Sequence, residues 1–160
     1  MQTPEPQQRE RVPEVPAPGA ASEVDGLPAA WDLAEVPSPV EVRVHADPAL
    51  IPSVRAVAAD LAARADFDLD AVSDLRMAVD EACSALVPLA APGGQLRCAF
   101  TVADGRIAVV ARVPIETTTE LRQDTFGWRV LDTLTDSAEV LGGGNGEWIG
   151  IRLLKDRTTT

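Results

Sequence analysis

The sequence predicts an α+β fold, a two-layer α/β sandwich with helices on one face of a mixed β-sheet. Two neighbouring segments have apolar residues at helical spacing, and a third, shorter one follows later in the chain. The remaining apolar segments are short, and the first of them alternates apolar with polar residues, which is typical of a strand. An Asp-Gly turn signal between two of them predicts a hairpin. The predicted element order is β-α-α-β-β-α-β-β.

The first strand and the first helix follow from residues 40–61. Valines alternate with polar residues over Val40–His45, which predicts a half-buried strand with its histidine on the polar face. Asp47 followed by Pro48 predicts a helix start, with aspartate as the cap and proline at the first position. Pro52 leaves a start a few residues later equally open. The apolar face of this helix consists of Val54, Val57, Ala58 and Leu61.

The second helix contains the most informative stretch of the chain, Asp74–Val87. Its apolar stripe consists of Val72, Leu75, Val79, Ala82, Cys83 and Leu86. Glu81 lies on the side opposite this stripe. A helix of this kind either lines a pocket with its carboxylate or presents it to water, and solvated glutamates are the more common case. Phe67, which precedes the helix, is expected in the core, and the helix is expected to end before Pro88.

The second half of the chain predicts a hairpin, a short helix and two further strands. The predicted strands are Leu96–Val102, Ile107–Val113, Ala138–Leu141 and Trp148–Leu154. The short helix is marked by Phe126, Val130, Leu131 and Leu134. A loop over residues 114–124 precedes this helix, and a glycine-rich loop separates the last two strands. Trp128 and Trp148 are expected in or beside the core.

Residues 1–38 differ in composition from the rest of the chain. Eight of the 13 prolines precede Val40, acidic residues outnumber basic ones there, and large apolar residues are few. Such a segment buries too little apolar surface to offset the entropy lost on ordering. We therefore predict a disordered, proline-rich, acidic tail over residues 1–38 and one folded domain over residues 39–157. Trp31 and Leu33 form a small apolar spot near the end of the tail.

The net charge of −11 restricts the classes of partner. Binding to nucleic acid or to an anionic membrane surface requires a basic surface, so neither is expected, whereas a basic protein partner is compatible with the charge. No apolar run approaches the roughly 20 residues that span a bilayer, and the first thirty residues do not resemble a signal peptide. A cytoplasmic protein is the resulting expectation.

Cysteine and histidine are too few for metal chemistry. With a single histidine, His45, and two separated cysteines, Cys83 and Cys98, neither a zinc site nor a Ser-His-Asp triad is expected. Each cysteine lies in an apolar pattern, which favours two small buried side chains over a disulfide.

The run Asp74–Cys83, Asp-Leu-Arg-Met-Ala-Val-Asp-Glu-Ala-Cys, resembles the N-box helix of the anti-sigma-factor serine kinases of bacterial partner switching. Those kinases belong to the ATPase superfamily shared by histidine kinases, gyrase and Hsp90. The resemblance runs without a gap over Pro48–Val87 and returns at Asp104–Pro114 and Phe126–Val140. It implies a sandwich of the histidine kinase/Hsp90-like ATPase type, and the pattern is most similar to the actinobacterial anti-sigma-F branch.

The resemblance implies positions for a nucleotide site, since the family binds ATP with Mg²⁺ between the N-box helix and the sheet. Glu81 matches the catalytic glutamate that positions or deprotonates the attacking hydroxyl group. Ala85 replaces the asparagine that coordinates magnesium one helical turn later. Arg112 aligns with the aspartate that binds adenine, and Pro114 with the glycine after it. In the lid, Gly127 is retained and Thr125 replaces the other glycine.

These departures concern nucleotide chemistry and leave the framework residues in place. Alanine has no oxygen for magnesium, whose octahedral shell requires oxygen ligands. Arginine has hydrogen-bond donors only, so Arg112 cannot accept the adenine amino hydrogens. The sequence therefore predicts a degenerate ATP site, with weak or no binding of ATP and Mg²⁺.

The function implied by the resemblance is that of an anti-sigma factor. Such proteins sequester an alternative sigma factor as a homodimer and release it when an anti-anti-sigma factor competes. Two alternatives stay open. One is an active serine/threonine kinase that uses Glu81 to phosphorylate its anti-anti-sigma antagonist, and the other is a non-catalytic interaction module unrelated to sigma control, since a fold does not fix a function.

Overall fold

The computed structural model describes residues 39–144 and 146–158, so the predicted tail lies outside the described residues. The helices are α1 (Ile51–Arg64), α2 (Leu69–Leu86) and α3 (Phe126–Leu134). The strands are β1 (Val40–His45), β2 (Gln95–Ala103), β3 (Arg106–Pro114), β4 (Ser137–Gly142) and β5 (Trp148–Asp156). The order β-α-α-β-β-α-β-β confirms the predicted α+β class and the predicted sequence of elements.

The five strands form one sheet in the order β1-β2-β3-β5-β4, and every pair of neighbours is antiparallel. The prediction of a mixed sheet is therefore wrong. After β3 the chain forms α3 and then β4 at the edge of the sheet, and β5 lies between β3 and β4. Because β5 separates them, β3 and β4 run in the same direction without pairing.

The predicted hairpin turn between β2 and β3 is confirmed. Asp104 and Gly105 have φ angles of 52° and 71°, so both occupy the left-handed region. Two-residue hairpin loops favour this conformation because its twist matches that of the flanking strands, and glycine adopts it without a Cβ clash. The turn fixes the register that places Arg97 opposite Arg112.

The first helix combines the two predicted starting points, a turn that begins at Pro48 and an α-helix that begins a few residues later. The Ala49 N–H donates to Asp47 Oδ1 at 2.9 Å and caps a 3₁₀ turn over Pro48–Leu50, after which α1 begins at Ile51. The α2 helix begins after Asp68, whose Oδ1 accepts from the Ala71 N–H at 2.8 Å. The second aspartate cap fixes the start of the helix that carries Glu81.

The core lies between the sheet and the three helices, which all pack on one sheet face. The predicted anchors Phe67 and Trp128 are buried, and Trp148 is half-buried, as expected. Cys83 on α2 and Cys98 on β2 are both free and buried, with their Sγ atoms 3.8 Å apart. Within residues 39–144 and 146–158, no helix is long and apolar enough to cross a membrane.

The opposite sheet face carries no further helix or strand among the described residues, and we call it the outer face. Side chains alternate along each strand, so residues between the core positions point to this face. On β3 the core positions are Ile107, Val109, Ala111 and Val113. Arg112 and Pro114 therefore lie on the outer face.

Candidate functional site

A small pocket of about 200 Å³ lies between α2, α3 and the loop that precedes α3. Its lining residues are Glu81, Ala85, Leu121, Arg122, Thr125, Gly127, Trp128 and Leu131. Four of the six predicted site positions therefore come together, two from α2 and two from the start of α3. Ala85 follows Glu81 by one helical turn, so both reach the same pocket.

Glu81 is half-buried and its carboxylate packs against Gly127. A Cβ atom added to Gly127 would lie 2.1 Å from Glu81 Oε1 and 3.2 Å from Cδ. The carboxylate thus occupies the space that a side chain on α3 would need. The prediction that Glu81 points away from the apolar stripe of α2 agrees with this geometry, and the space in front of it is the first turn of α3.

The first turn of α3 is capped by Thr125. Its Oγ1 accepts from the Trp128 N–H at 3.2 Å, and its extended backbone (φ −88°, ψ 160°) is typical of a cap residue. The N–H groups of a first helical turn carry partial positive charge and attract anions. Glu81 places an anionic group of the protein itself at this turn.

The mouth of the pocket contains an ion pair. Arg122 donates to the Asp124 carboxylate through Nε at 3.0 Å and through Nη2 at 2.7 Å. These hydrogen bonds hold the pKa of Asp124 below its usual range. The cation nearest to the pocket is therefore already paired with a carboxylate, which competes with any anionic ligand for Arg122.

Arg112 and Pro114 do not contribute to this pocket. They line a separate cleft of about 510 Å³ on the outer face, together with Gln95, Arg97 and Trp148. The guanidinium carbon of Arg112 lies 5.6 Å from the centre of the Trp148 ring. Arg112, which aligns with an adenine-binding residue of the family, therefore lies on the sheet face opposite to Glu81.

The residues present do not fit Mg-ATP. The pocket is smaller than the roughly 300–1,000 Å³ of typical ligand sites. The side chain of Ala85 supplies no oxygen ligand for magnesium, and the helix-facing side chains at the end of β3, Ala111 and Val113, supply no acceptor for adenine. The carboxylate of Glu81 also occupies the anion-attracting start of α3, where it would repel a phosphate.

Sequence reasoning missed four lining residues, Leu121, Arg122, Trp128 and Leu131. For Trp128 and Leu131 a signal existed, since both lie on the apolar face of α3 that packs towards α2. The period-two pattern of β3 also separates Arg112 from the core positions, which would have corrected its predicted location. No local pattern indicates which part of the loop closes over α2.

Comparison with known proteins identifies the fold family and two relatives. Residues 44–153 match the family described as the histidine kinase-like ATPase domain. The chain is 33% identical over 100 residues to the anti-sigma-F factor RsbW of Mycobacterium tuberculosis strain CDC 1551 / Oshkosh and equally so to that of strain ATCC 25618 / H37Rv. Each alignment covers 59% of this chain and spans 60% of the length of the relative.

Proposed function

The chain belongs to the family of histidine kinase-like ATPase domains, and from this membership we propose that it acts as an anti-sigma factor. The proposal is that it sequesters an alternative sigma factor and releases it to an anti-anti-sigma antagonist. The similarity to two proteins named anti-sigma-F factor supports the sigma-binding role. The net charge of −11 is compatible with a basic partner surface.

The observation that carries the choice of binding over catalysis is the packing of Glu81 against Gly127 in a pocket of about 200 Å³. A phosphoryl-transfer site requires space for the nucleotide and oxygen ligands for its magnesium. The pocket is too small for a nucleotide, and the side chain of Ala85 supplies no oxygen ligand for magnesium. The proposed mechanism is therefore competition between two proteins for one surface, with no transfer of phosphate.

The quaternary part of the proposal is a homodimer, as the family resemblance implies. Light scattering over a range of protein concentrations tests this part separately. A monomeric protein that still binds sigma factor would remove the dimer from the proposal and leave sequestration in place.

The test of function begins with the sigma factor and the antagonist that co-purify with the tagged chain from its native host. We expect tight binding of the sigma factor, displacement by the antagonist, and affinities that do not change when Mg-ATP is added. Titration calorimetry with Mg-ATP is expected to give weak or no binding, and radiolabelled ATP is expected to leave the antagonist unlabelled.

Two variants, one that removes a carboxylate in the pocket and one that removes a carboxylate outside it, separate this proposal from the kinase alternative. Glu81→Ala removes the carboxylate in the pocket, and Asp132→Ala removes an exposed carboxylate on α3 outside it. Micromolar ATP binding with a labelled antagonist, lost in Glu81→Ala and kept in Asp132→Ala, would identify an active kinase. Absence of both ATP and sigma-factor binding would favour an interaction module unrelated to sigma control.

A further inference from the structure

The outer face of the sheet carries a row of three arginines in an otherwise acidic protein. Arg43 on β1 lies opposite Arg97 on β2, which lies opposite Arg112 on β3. Like charges directly across a strand pair repel each other and destabilise the sheet. We call Arg43, Arg97 and Arg112 the arginine row.

The charges of the arginine row are not neutralised by ion pairs within the described residues. Burial, followed by repulsion from Arg43 and Arg112, lowers the pKa of Arg97, and Glu41 opposes this effect only in part. The Nε atom of Arg97 is buried and has no hydrogen-bond partner in residues 39–144 and 146–158. A buried donor without a partner costs free energy, and so does the repulsion between neighbouring arginines.

The cleft at the arginine row combines charge with an aromatic wall. Arg97, Arg112, Pro114 and Trp148 line a space of about 510 Å³, within the usual range for a bound ligand. The guanidinium groups match carboxylates in geometry and charge. Pro114 and the Trp148 ring offer apolar surface beside them. This combination selects a peptide in which acidic residues flank a large apolar side chain.

The sequence contains such a peptide immediately before the domain. Trp31-Asp32-Leu33-Ala34-Glu35 places two carboxylates beside a tryptophan, and residues 1–38 contain seven acidic and two basic residues. We propose that this segment of the chain binds its own domain at the cleft beside the arginine row. Asp32 and Glu35 pair with the arginines, and Trp31 supplies the apolar contact.

The position of β1 makes this contact reachable. Trp31 precedes Pro39 by eight residues, which span up to about 26 Å when extended. Arg43 lies roughly 10 Å along β1 from the start of the strand, and Arg112 lies roughly 10 Å from Arg43 across two strands. A short tether gives an effective concentration in the millimolar range, so the segment stays bound if its own dissociation constant for the cleft is millimolar or lower. The ion pairs and the apolar contact of Trp31 together supply this affinity.

A segment bound in this way covers part of the outer face of the sheet. A partner or a second copy of the chain that requires the outer face must displace the acidic segment first. Because the contact relies on partly exposed charges, it weakens as salt rises.

The test uses the full chain with a nitroxide label attached at Ala34→Cys. The chain has two cysteines, Cys83 and Cys98, and both are buried. The nitroxide reagent is therefore expected to react with the thiol introduced at residue 34. In a ¹⁵N-labelled protein we expect the nitroxide to broaden the resonances of Arg97, Arg112 and the Trp148 indole. Amides on the far side of the helices, such as that of Ala63, should stay sharp, and reduction of the nitroxide should restore all signals.

Charge variants provide matched controls. Arg97→Gln with Arg112→Gln is expected to reduce the broadening at the cleft to the level that a freely moving tether gives, whereas Arg76→Gln with Arg129→Gln, two exposed helical arginines, should retain it. Asp32→Asn with Glu35→Gln changes nothing in the domain and should reduce the broadening to the same level, while Glu5→Gln with Glu10→Gln should leave it as in the wild type. One molar salt should have the effect of the first variant.

Several outcomes would overturn the proposal. Sharp resonances at the cleft in the labelled wild type would show that the segment does not bind there. Equal broadening in the Arg97→Gln and Arg112→Gln protein would place the contact elsewhere. Broadening of a ¹⁵N-labelled chain by a nitroxide on a second, unlabelled chain would assign the cleft to another copy.

Discussion

At the scale of single residues, the contact between Glu81 and Gly127 decides the shape of the pocket. Gly127 lies in the first turn of α3, where alanine is normally the better helix former by up to about 1 kcal/mol. A Cβ on residue 127 would lie 2.1 Å from Glu81 Oε1, so a larger residue at this position requires the Glu81 side chain to move. The packing of Glu81 therefore favours glycine at position 127 over any residue with a Cβ.

A double-mutant cycle measures this coupling. We expect Gly127→Ala to gain little or no stability in the wild type, because the Glu81 carboxylate must move to admit the methyl group. In a Glu81→Ala background the same change should stabilise the protein by up to about 1 kcal/mol. Urea unfolding of the four proteins gives the coupling, and an equal effect in both backgrounds would show that the contact does not form.

The two cysteines give a pH dependence at the same scale. A hydrogen bond with Cys83, together with burial, raises the pKa of the Cys98 thiol well above its usual value of 9.0. The folded thiol stays protonated where the unfolded one ionises, so stability is complete below pH 9 and falls as pH rises beyond it. With no tyrosine and a single lysine in the chain, few other groups titrate in that range.

Urea midpoints between pH 8 and pH 10.5 check this dependence. Wild type should lose stability across the interval, and Cys98→Ala should show a flatter profile from a lower starting value. A profile of equal slope in the variant would mean that Cys98 does not control the alkaline transition.

At the scale of elements, α2 has two sides with different tasks. Its buried side, which includes Leu75, Val79 and Cys83, packs in the core, while Glu81 faces α3. The Asp80 carboxylate accepts from Arg55 Nη1 at 2.9 Å and ties α2 to α1 beside this face. The pocket residues of α2 can therefore change without loss of its core contacts.

The sidedness of α2 predicts unequal effects of two substitutions. Val79→Asp buries an unpaired carboxylate at a position that is 1% exposed and should cost several kcal/mol. Glu81→Ala removes a half-buried group at the pocket and should cost much less. Thermal melts of both variants check the difference, and similar losses in the two melting midpoints would contradict this orientation of α2.

At the scale of the whole molecule, the folded unit is predicted to be independent of residues 1–38. The described core is closed by β1 on one edge and by β4 on the other, and all its apolar residues lie between Val42 and Leu153. A protein that starts at Pro39 should therefore keep one cooperative melt with a midpoint close to that of the full chain. Calorimetry on both lengths tests this. A midpoint lower by many degrees would make the segment part of the core.

Much of the architecture was determined by the sequence itself. The strand and helix patterns, the Asp104-Gly105 hairpin and the burial of Phe67 all depend on local spacing and turn chemistry. Family resemblance located Glu81, Ala85, Thr125 and Gly127, and the structure brings these four together. Local patterns succeed here because the helices and the central strands each have one apolar face, which packs in the core.

Only the tertiary structure decided the direction of strand pairing, the close packing of Glu81 against Gly127 and the location of Arg112. Pairing direction depends on where a connection places the next strand, and that position is not encoded in the strand itself. The pocket and the arginine row are made by residues far apart in the chain, such as Arg43, Arg97 and Arg112. These residues contact or repel one another only after the chain has folded, because folding brings distant parts of the sequence side by side.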